Sequence, residues 1–393
     1  MKFLVMPGDG IGPEIVPVAV AALTALDQKL GLGVSLEEVP IGFASLELKG
    51  NTFPDEVLEK ARDSDGVIMG PTDTLAYPPI SDGGRGPSAF MRTGCDLYAN
   101  IRPAKTRAGV PAAVENMDLV FARENTEGFY ADRSMHMGNG EMMVTEDVAI
   151  AVRKITKKAC TKIAHAAFKL ALQRRKKVTI VSKRNVLKMT DGLFYDTVRE
   201  IGLDYPEVEI DDVIIDAMSA LMVRTPDAFD VVCTSNMYGD ILSDLGNELA
   251  GGLGLGGTIN AGDHHVMAQA VHGSAPDIAG QDIANPTAMV LSLAMMLDWI
   301  AAREQDNKLK EAGHRLSLAL DAQLADRTTC TKDLGGPLSC SAFADYHGCI
   351  STYFVVAGNF ILAATNSVRH SFVGACWALQ SRQPCIAAGG YRI

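Results

Sequence analysis

No apolar run in this chain approaches the roughly 18 residues that cross a bilayer, so nothing in it reads as a membrane anchor. Its start, MKFLVMPGDG, lacks the charged stretch, long apolar core and cleavage site of a secretory leader, and the expected setting is cytoplasmic. The 8 cysteines include no CxxC pair and no Cys/His metal spacing. Cys95, Cys160 and Cys233 lie inside apolar or helical stretches and read as buried thiols. Basic residues are outnumbered 36 to 47, and the net charge of -11 argues against a nucleic-acid partner. A small anionic ligand stays open, because a local arginine cluster overrides the global sign. No G-x-x-x-x-G-K-[ST] loop occurs, which removes support for a nucleoside triphosphatase, and no internal repeat or low-complexity linker is visible.

One absence is local. From Tyr346 to Ile393 there is no Asp, Glu or Lys, although the chain carries 47 acidic residues. Such a composition shift suits a shifted reading frame or retained intron, with an unusual genuine extension as the alternative, and poor order is expected there.

What is present reads as a two-domain α/β protein. At 393 residues the chain exceeds a single small core. Short apolar runs alternate with longer helical patterns, as in parallel α/β architectures. Strands are expected at Phe3–Met6, Val67–Met69, Leu119–Ala122, Val178–Val181 and Phe229–Cys233. Helices are expected at Pro13–Leu30, Asp147–Gln173, Tyr238–Ala250 and Pro286–Arg303. The basic run Arg174, Arg175, Lys176, Lys177 reads as a solvated helix C-terminus, favoured by the macrodipole.

Several segments could carry chemistry. In NMYGDILSD, Asp240 and Asp244 stand i, i+4 on an expected helix and project from one face, where their repulsion invites a cation. Hard carboxylate oxygens suit Mg2+ or Mn2+; a solvated acidic face is the plainer reading. Arg92, Arg102 and Arg123 lie near apolar strand ends, where burial is costly unless each meets an anion. Their forks would grip a polycarboxylate, although each alone could be a surface ion-pair partner. Lys183 follows a buried strand, where α/β proteins place catalytic groups. In HGSAPDIAGQDIANP, small residues allow close approach to a ligand, and Asp277 could accept ribose hydroxyls, favouring NAD over NADP. GLGLGG, Gly252 to Gly257, matches a dinucleotide fingerprint in letters only, since it follows a helix; GDGIGPE, Gly8 to Glu14, has the wrong glycine spacing.

Together GDGIGPE, DLYANIRP, RENTEGFY, NMYGDILSD and HGSAPDIAG, in this order from Met1 to about Asp345, resemble the β-decarboxylating dehydrogenases that act on isopropylmalate, isocitrate, homoisocitrate or tartrate. The resemblance implies an isopropylmalate dehydrogenase-like α/β fold with a large mixed sheet flanked by helices, distinct from the standard Rossmann fold. It implies a discontinuous cofactor-side domain, 1–99 plus 255–345, and a substrate, metal and dimerisation domain, 100–254. It implies Arg92, Arg102 and Arg123 as substrate-carboxylate clamps, Tyr130 as the acid that protonates the carbon losing CO2, and Lys183 as the aid to hydroxyl deprotonation. Asp216, Asp240 and Asp244 correspond to the metal carboxylates. Lys183 and Asp216 would come from the neighbouring copy of a homodimer with shared sites. His272, Gly273, Ser274, Ala275, Asp277, Ile278 and Asn285 correspond to the adenosine side of an NAD site, and Asn185 to a nicotinamide contact.

Two departures bear on function. Isopropylmalate enzymes line the helix before the first clamp arginine with leucines; here Ser88 stands there, and Arg85 is placed to meet a third carboxylate. The expectation is therefore a polar 3-substituent on the substrate, with 3-isopropylmalate dehydrogenase of leucine biosynthesis, or a non-catalytic regulatory member, as alternatives. DLGGPLSCSAFAD, Asp333 to Asp345, resembles the family's ending, but the amphipathic pattern of its last helix does not continue beyond it.

Overall fold

The computed structural model describes residues 1–130, 135, 136 and 140–348. Residues 1–348 form one compact unit; the expectation about the tail falls, beyond Gly348, outside the described residues.

Twelve strands are described: β1 (Lys2–Met6), β2 (Ser35–Glu38), β3 (Gly66–Met69), β4 (Ala99–Lys105), β5 (Asp118–Glu124), β6 (Glu141–Thr145), β7 (Val148–Ala151), β8 (Lys177–Ser182), β9 (Glu209–Ile214), β10 (Val231–Thr234), β11 (Gly257–Ala261) and β12 (Val266–Ala270). The helices are α1 (Gly12–Leu30), α2 (Phe43–Lys49), α3 (Asp55–Arg62), α4 (Pro87–Gly94), α5 (Lys157–Leu172), α6 (Thr190–Gly202), α7 (Ile215–Arg224), α8 (Asn236–Ala250), α9 (Thr287–Glu304), α10 (Asn307–Ala325) and α11 (Cys340–Gly348). Ten strands make one mixed sheet in the order β2-β1-β3-β12-β11-β4-β5-β10-β8-β9. Its flanks pair parallel, while β12-β11, β11-β4 and β4-β5 pair antiparallel. The fold is thus α/β with a large mixed sheet flanked by helices, as the resemblance implied, where the apolar runs alone suggested a parallel sheet. β1, β3 and β10 are short apolar runs buried on both faces, the pattern of parallel strands covered by helices. Helix α1 starts with Pro13 in its first turn and ends at Gly31, whose φ of 61° supplies the left-handed cap.

The centre of the sheet departs from this apolar rule. Asn260 of β11, Asn100 of β4, Arg123 of β5 and Thr234 of β10 stand in register as successive cross-strand partners. All four are buried. A polar row in a sheet interior has to be internally hydrogen-bonded to be tolerated, and Asn100 Nδ2 donates to Thr258 Oγ1, the Ile259 carbonyl and Asn260 Oδ1.

Two expectations need correction. The helix expected over Asp147–Gln173 begins only at Lys157. Before it, Glu141–Thr145 and Val148–Ala151 pair as an antiparallel ribbon. Thr156 starts the helix, its hydroxyl accepting the Ala159 N–H; β-branched Val148 and Ile150 suit a strand better than a helix turn. The basic run after α5 is also no solvated cap. Arg174 bridges Asp118 and Asp230 at 2.7 Å each, Arg175 N–H donates to Asp230, and Lys177 opens β8. Buried Asp230 takes Arg174 and Arg175, which ties the end of α5 to the starts of β5 and β10. Helix α11, by contrast, stands where the family's last helix was expected, with Cys340 and Phe343 buried.

Candidate active site

Residues two apart on a strand share a face, so β4 presents Asn100 and Arg102 to the side on which α8 lies. Arg102 Nε donates to Asn100 Oδ1 at 2.6 Å; its Nη1 donates to Ser243 Oγ at 2.8 Å and lies 3.1 Å from both Asp240 and Asp244. From the next strand, Arg123 Nη1 reaches Asp240 Oδ1 at 2.6 Å, while Nε and Nη2 donate to Asn236. Tyr130 donates to the other oxygen of Asp240 at 3.0 Å, and its ring lies beside the Arg123 guanidinium. The result is two buried guanidiniums and a phenol gathered on a carboxylate that stays about one-third exposed, at 34%. Gly239 is required for this approach: a Cβ there would stand 2.6 Å from the Arg123 chain.

The two carboxylates of α8 are not equivalent. Burial would raise the Asp240 carboxyl, but Arg123 and Arg102, helped by Tyr130 and the charge of Arg92, outweigh it and hold the group below the ordinary aspartate range. Burial pushes Asp244 up; Arg102 offsets part of that, and the charge of Asp240 adds to it. Asp244 thus takes one guanidinium where Asp240 takes two. Oxygen-only donors at i, i+4, half open to solvent, fit a hard divalent ion.

The remaining sequence candidates fall into three places. Arg92 and Ser88 lie on α4, where Ser88 Oγ donates to Gln269 Oε1 at 3.2 Å. Arg85 pairs with the exposed Asp55 at 2.6 Å and lies over the Phe90 ring. Lys183 and Asp216 form an ion pair with each other, which holds the exposed Asp216 carboxyl below its ordinary range. Asn185 is exposed beside them. Among the described residues no three His, Cys, Asp or Glu side chains of one chain converge on a metal position. Asp240 and Asp244 come together, whereas Asp216 stands with Lys183.

The third place is the loop from His272 to Asn285. His272 is half-buried, with Nδ1 3.0 Å from the Gly273 carbonyl oxygen, and burial lowers its pKa so that the ring favours neutrality. Ser274 is buried and Ala275 is left-handed at φ 41°. Asp277 is exposed and Ile278 half-buried; Asn285 donates to Asp333 at 2.9 Å. A Cβ on Gly273 would meet nothing within 4 Å, so the loop opens onto free space there. GDGIGPE supports this loop from below: Ile11 N–H donates to the Ser274 carbonyl at 2.9 Å, and Glu14 accepts the Gly280 and Asp282 N–H groups. Gly10, at φ 57°, sits where a Cβ would be 2.0 Å from the Ser274 carbonyl oxygen. Gly10→Ala is expected to lose about 1–3 kcal/mol of stability, read as a lower urea midpoint, and a midpoint unchanged from the parent would refute this packing.

Sequence reading missed Asn100 and Asn236, which orient the two guanidiniums, and Arg153 and Asp191, which form a buried ion pair. The period-2 spacing of Asn100 and Arg102 was the available signal for the first. Arg153 was concealed by the helix expected through it.

The model of the "Isocitrate/isopropylmalate dehydrogenase" family matches residues 2–346. An isocitrate/homoisocitrate dehydrogenase of Thermus thermophilus is 42% identical over 347 residues, covering 88% of this chain and 96% of the relative. A 3-isopropylmalate/3-methylmalate dehydrogenase of Methanocaldococcus jannaschii is 40% identical over 349 residues, covering 88% and 97%. Among solved structures, an isocitrate dehydrogenase from Methylococcus capsulatus superposes with a TM-score of 0.78 at 39% identity, covering 88% of this chain and 98% of that one.

Proposed function

The chain belongs to the isocitrate/isopropylmalate dehydrogenase family, and on that premise we propose that it oxidises and decarboxylates a 2-hydroxy di- or tricarboxylic acid, with NAD as acceptor and Mg2+ or Mn2+ at its carboxylates. The observation that carries this reading is the convergence of Arg102, Arg123 and Tyr130 on Asp240. Buried guanidiniums held by Asn100 and Asn236 are preorganised for a carboxylate, and Arg92 on α4 completes the clamp. On binding, Arg102 and Arg123 would pass from Asp240 to the substrate, freeing Asp240 and Asp244 as metal ligands. A cation held by Asp240 and Asp244 would supply Lewis acidity, and NAD would supply a hydride acceptor. Lys183 takes the proton of the substrate hydroxyl, and Tyr130 returns one to the carbon that loses CO2. A regulatory, non-catalytic member would be expected to lack clamp or metal residues, and here all are present.

We assign Lys183 and Asp216 to the site of a second copy. Supporting this, they pair apart from Asp240 and Asp244. The ribbon β6-β7 also leaves Met142, Met143, Val144, Val148 and Ile150 between 45% and 65% exposed, an apolar surface of the kind a partner chain covers. The two lobes would be 1–99 plus 255–345 and 100–254: β1, β2, β3, β11 and β12 form one half of the sheet, and β4, β5, β8, β9 and β10 the other. The loop from His272 to Asn285, with exposed Asp277, would take the adenosine of NAD, and Asn185 the nicotinamide.

Ser88, a hydroxyl where an apolar 3-substituent would want a leucine, points to isocitrate, homoisocitrate or tartrate. Assayed side by side with Mn2+ and NAD, one of these acids should exceed isopropylmalate in kcat/KM. Ser88→Leu should move the ratio toward isopropylmalate by about tenfold, ~1.4 kcal/mol. A clear preference of the parent protein for isopropylmalate would overturn the assignment.

A further inference from the structure

Arg153 and Asp191 lie outside the clamp, the carboxylates and the loop from His272 to Asn285, yet they form one of the most deeply buried ion pairs described, with side chains 7% and 1% exposed. The pair's contacts reach the backbone of Lys183, the neighbour of Tyr130, and the residue before Asn236, which orients Arg123. Asp191, in the first turn of α6, takes the Arg153 guanidinium on one oxygen and the backbone N–H of Lys183 on the other, at 2.6 Å. Arg153 Nη2 donates to Ser235 Oγ at 2.9 Å, and Ser235 directly precedes Asn236, the residue that holds Arg123. The guanidinium also lies over the rings of Tyr238, 5.1 Å away, and Phe129, 5.8 Å away, and Phe129 is the neighbour of Tyr130. A fifth contact, from Nη1 to Thr190 Oγ1 at 3.2 Å, fastens the start of α6.

We propose that Arg153 and Asp191 are a positioning pair that locks the Lys183 loop, the start of α8 and the segment ending in Tyr130 into one unit. The physical case rests on the alternative. A buried ion pair serving stability alone gains little over apolar residues of similar volume, and nothing would require its free valences to land on the backbone of Lys183 and on the residue before α8. Arginine suits the task because its planar fork reaches Asp191 and Ser235 at once, which the single ammonium of a lysine cannot do. The catalytic meaning of the unit rests on the proposed function; the mechanical coupling does not.

The test uses the full chain with Arg153→Met and Asp191→Leu combined, so that neither charge is left buried alone. Hydrogen exchange in the absence of NAD and substrate should quicken by about tenfold or more in both Lys183–Thr190 and Ser235–Gly239, with α9 unchanged. With the preferred acid, kcat should fall about 100-fold, the loss expected from displaced catalytic groups, with KM for NAD held within about twofold. Exchange unchanged, or quickened in only one of the two segments, overturns the proposal, as does a kcat within about threefold of the parent when the parent is active. If the parent turns over no acid, the proposed function fails, and the exchange result alone decides the coupling. Should the double variant not fold, Arg153→Lys replaces it. That variant keeps the charge on Asp191 and should quicken exchange at Ser235–Gly239 but spare Lys183–Thr190; no change at Ser235–Gly239 would overturn the proposal.

Discussion

Asp240→Asn is expected to lower kcat/KM by about 10³-fold, ~4 kcal/mol of transition-state stabilisation, while the protein stays folded. The size of the loss follows from how many groups meet at this carboxylate. One oxygen takes Arg123 and Arg102, and the other takes the Tyr130 hydroxyl. An amide keeps the shape but loses the charge, so it holds a divalent ion much less tightly and it weakens the orientation of Tyr130. The fold should survive because neither guanidinium is left without partners: Arg102 keeps Asn100, Ser243 and Asp244, and Arg123 keeps Asn236. Steady-state kinetics alongside a thermal melt check both halves. A variant within about tenfold of the parent would remove Asp240 from the machinery.

The second large effect is a gain. Lys183→Met and Asp240→Asn chains should each be nearly inactive alone. Unfolded together in equal amounts and refolded, they should recover about one quarter of the parent activity per chain. If Lys183 serves the neighbouring site, a mixed dimer contains one site with intact Asp240 from one chain and intact Lys183 from the other, and one site lacking both. Random pairing makes half of the dimers mixed, and each carries one working site of two, as expected for a closed two-fold assembly. Were Lys183 to act within its own chain, every site would be broken and mixing would recover nothing.

How far the sequence carried this account depended on the kind of signal. Apolar runs such as Phe3–Met6 and Val178–Val181 announced buried parallel strands, because nothing but burial on both faces explains them. The i, i+4 spacing of Asp240 and Asp244 survived into the structure as one face of α8. The ribbon at Glu141–Ala151 was illegible because its apolar residues also fit a helical period, and only the Thr156 cap separates it from α5. The basic run after α5 misled for a related reason: its partners Asp118 and Asp230 are distant in sequence and meet it only through sheet order. The asymmetry of Asp240 and Asp244 depends on the depth of two arginines that the sequence could place beside the site but not bury.

The most direct test of the central claim is the stoichiometry of the reaction in one cuvette. With Mn2+, NAD and the preferred 2-hydroxy polycarboxylic acid, NADH and CO2 should appear together in equal amounts, and both should vanish when the metal is chelated. NADH formed without CO2, or both products formed unchanged in excess chelator, would contradict an oxidative decarboxylation carried out at the Asp240 and Asp244 carboxylates.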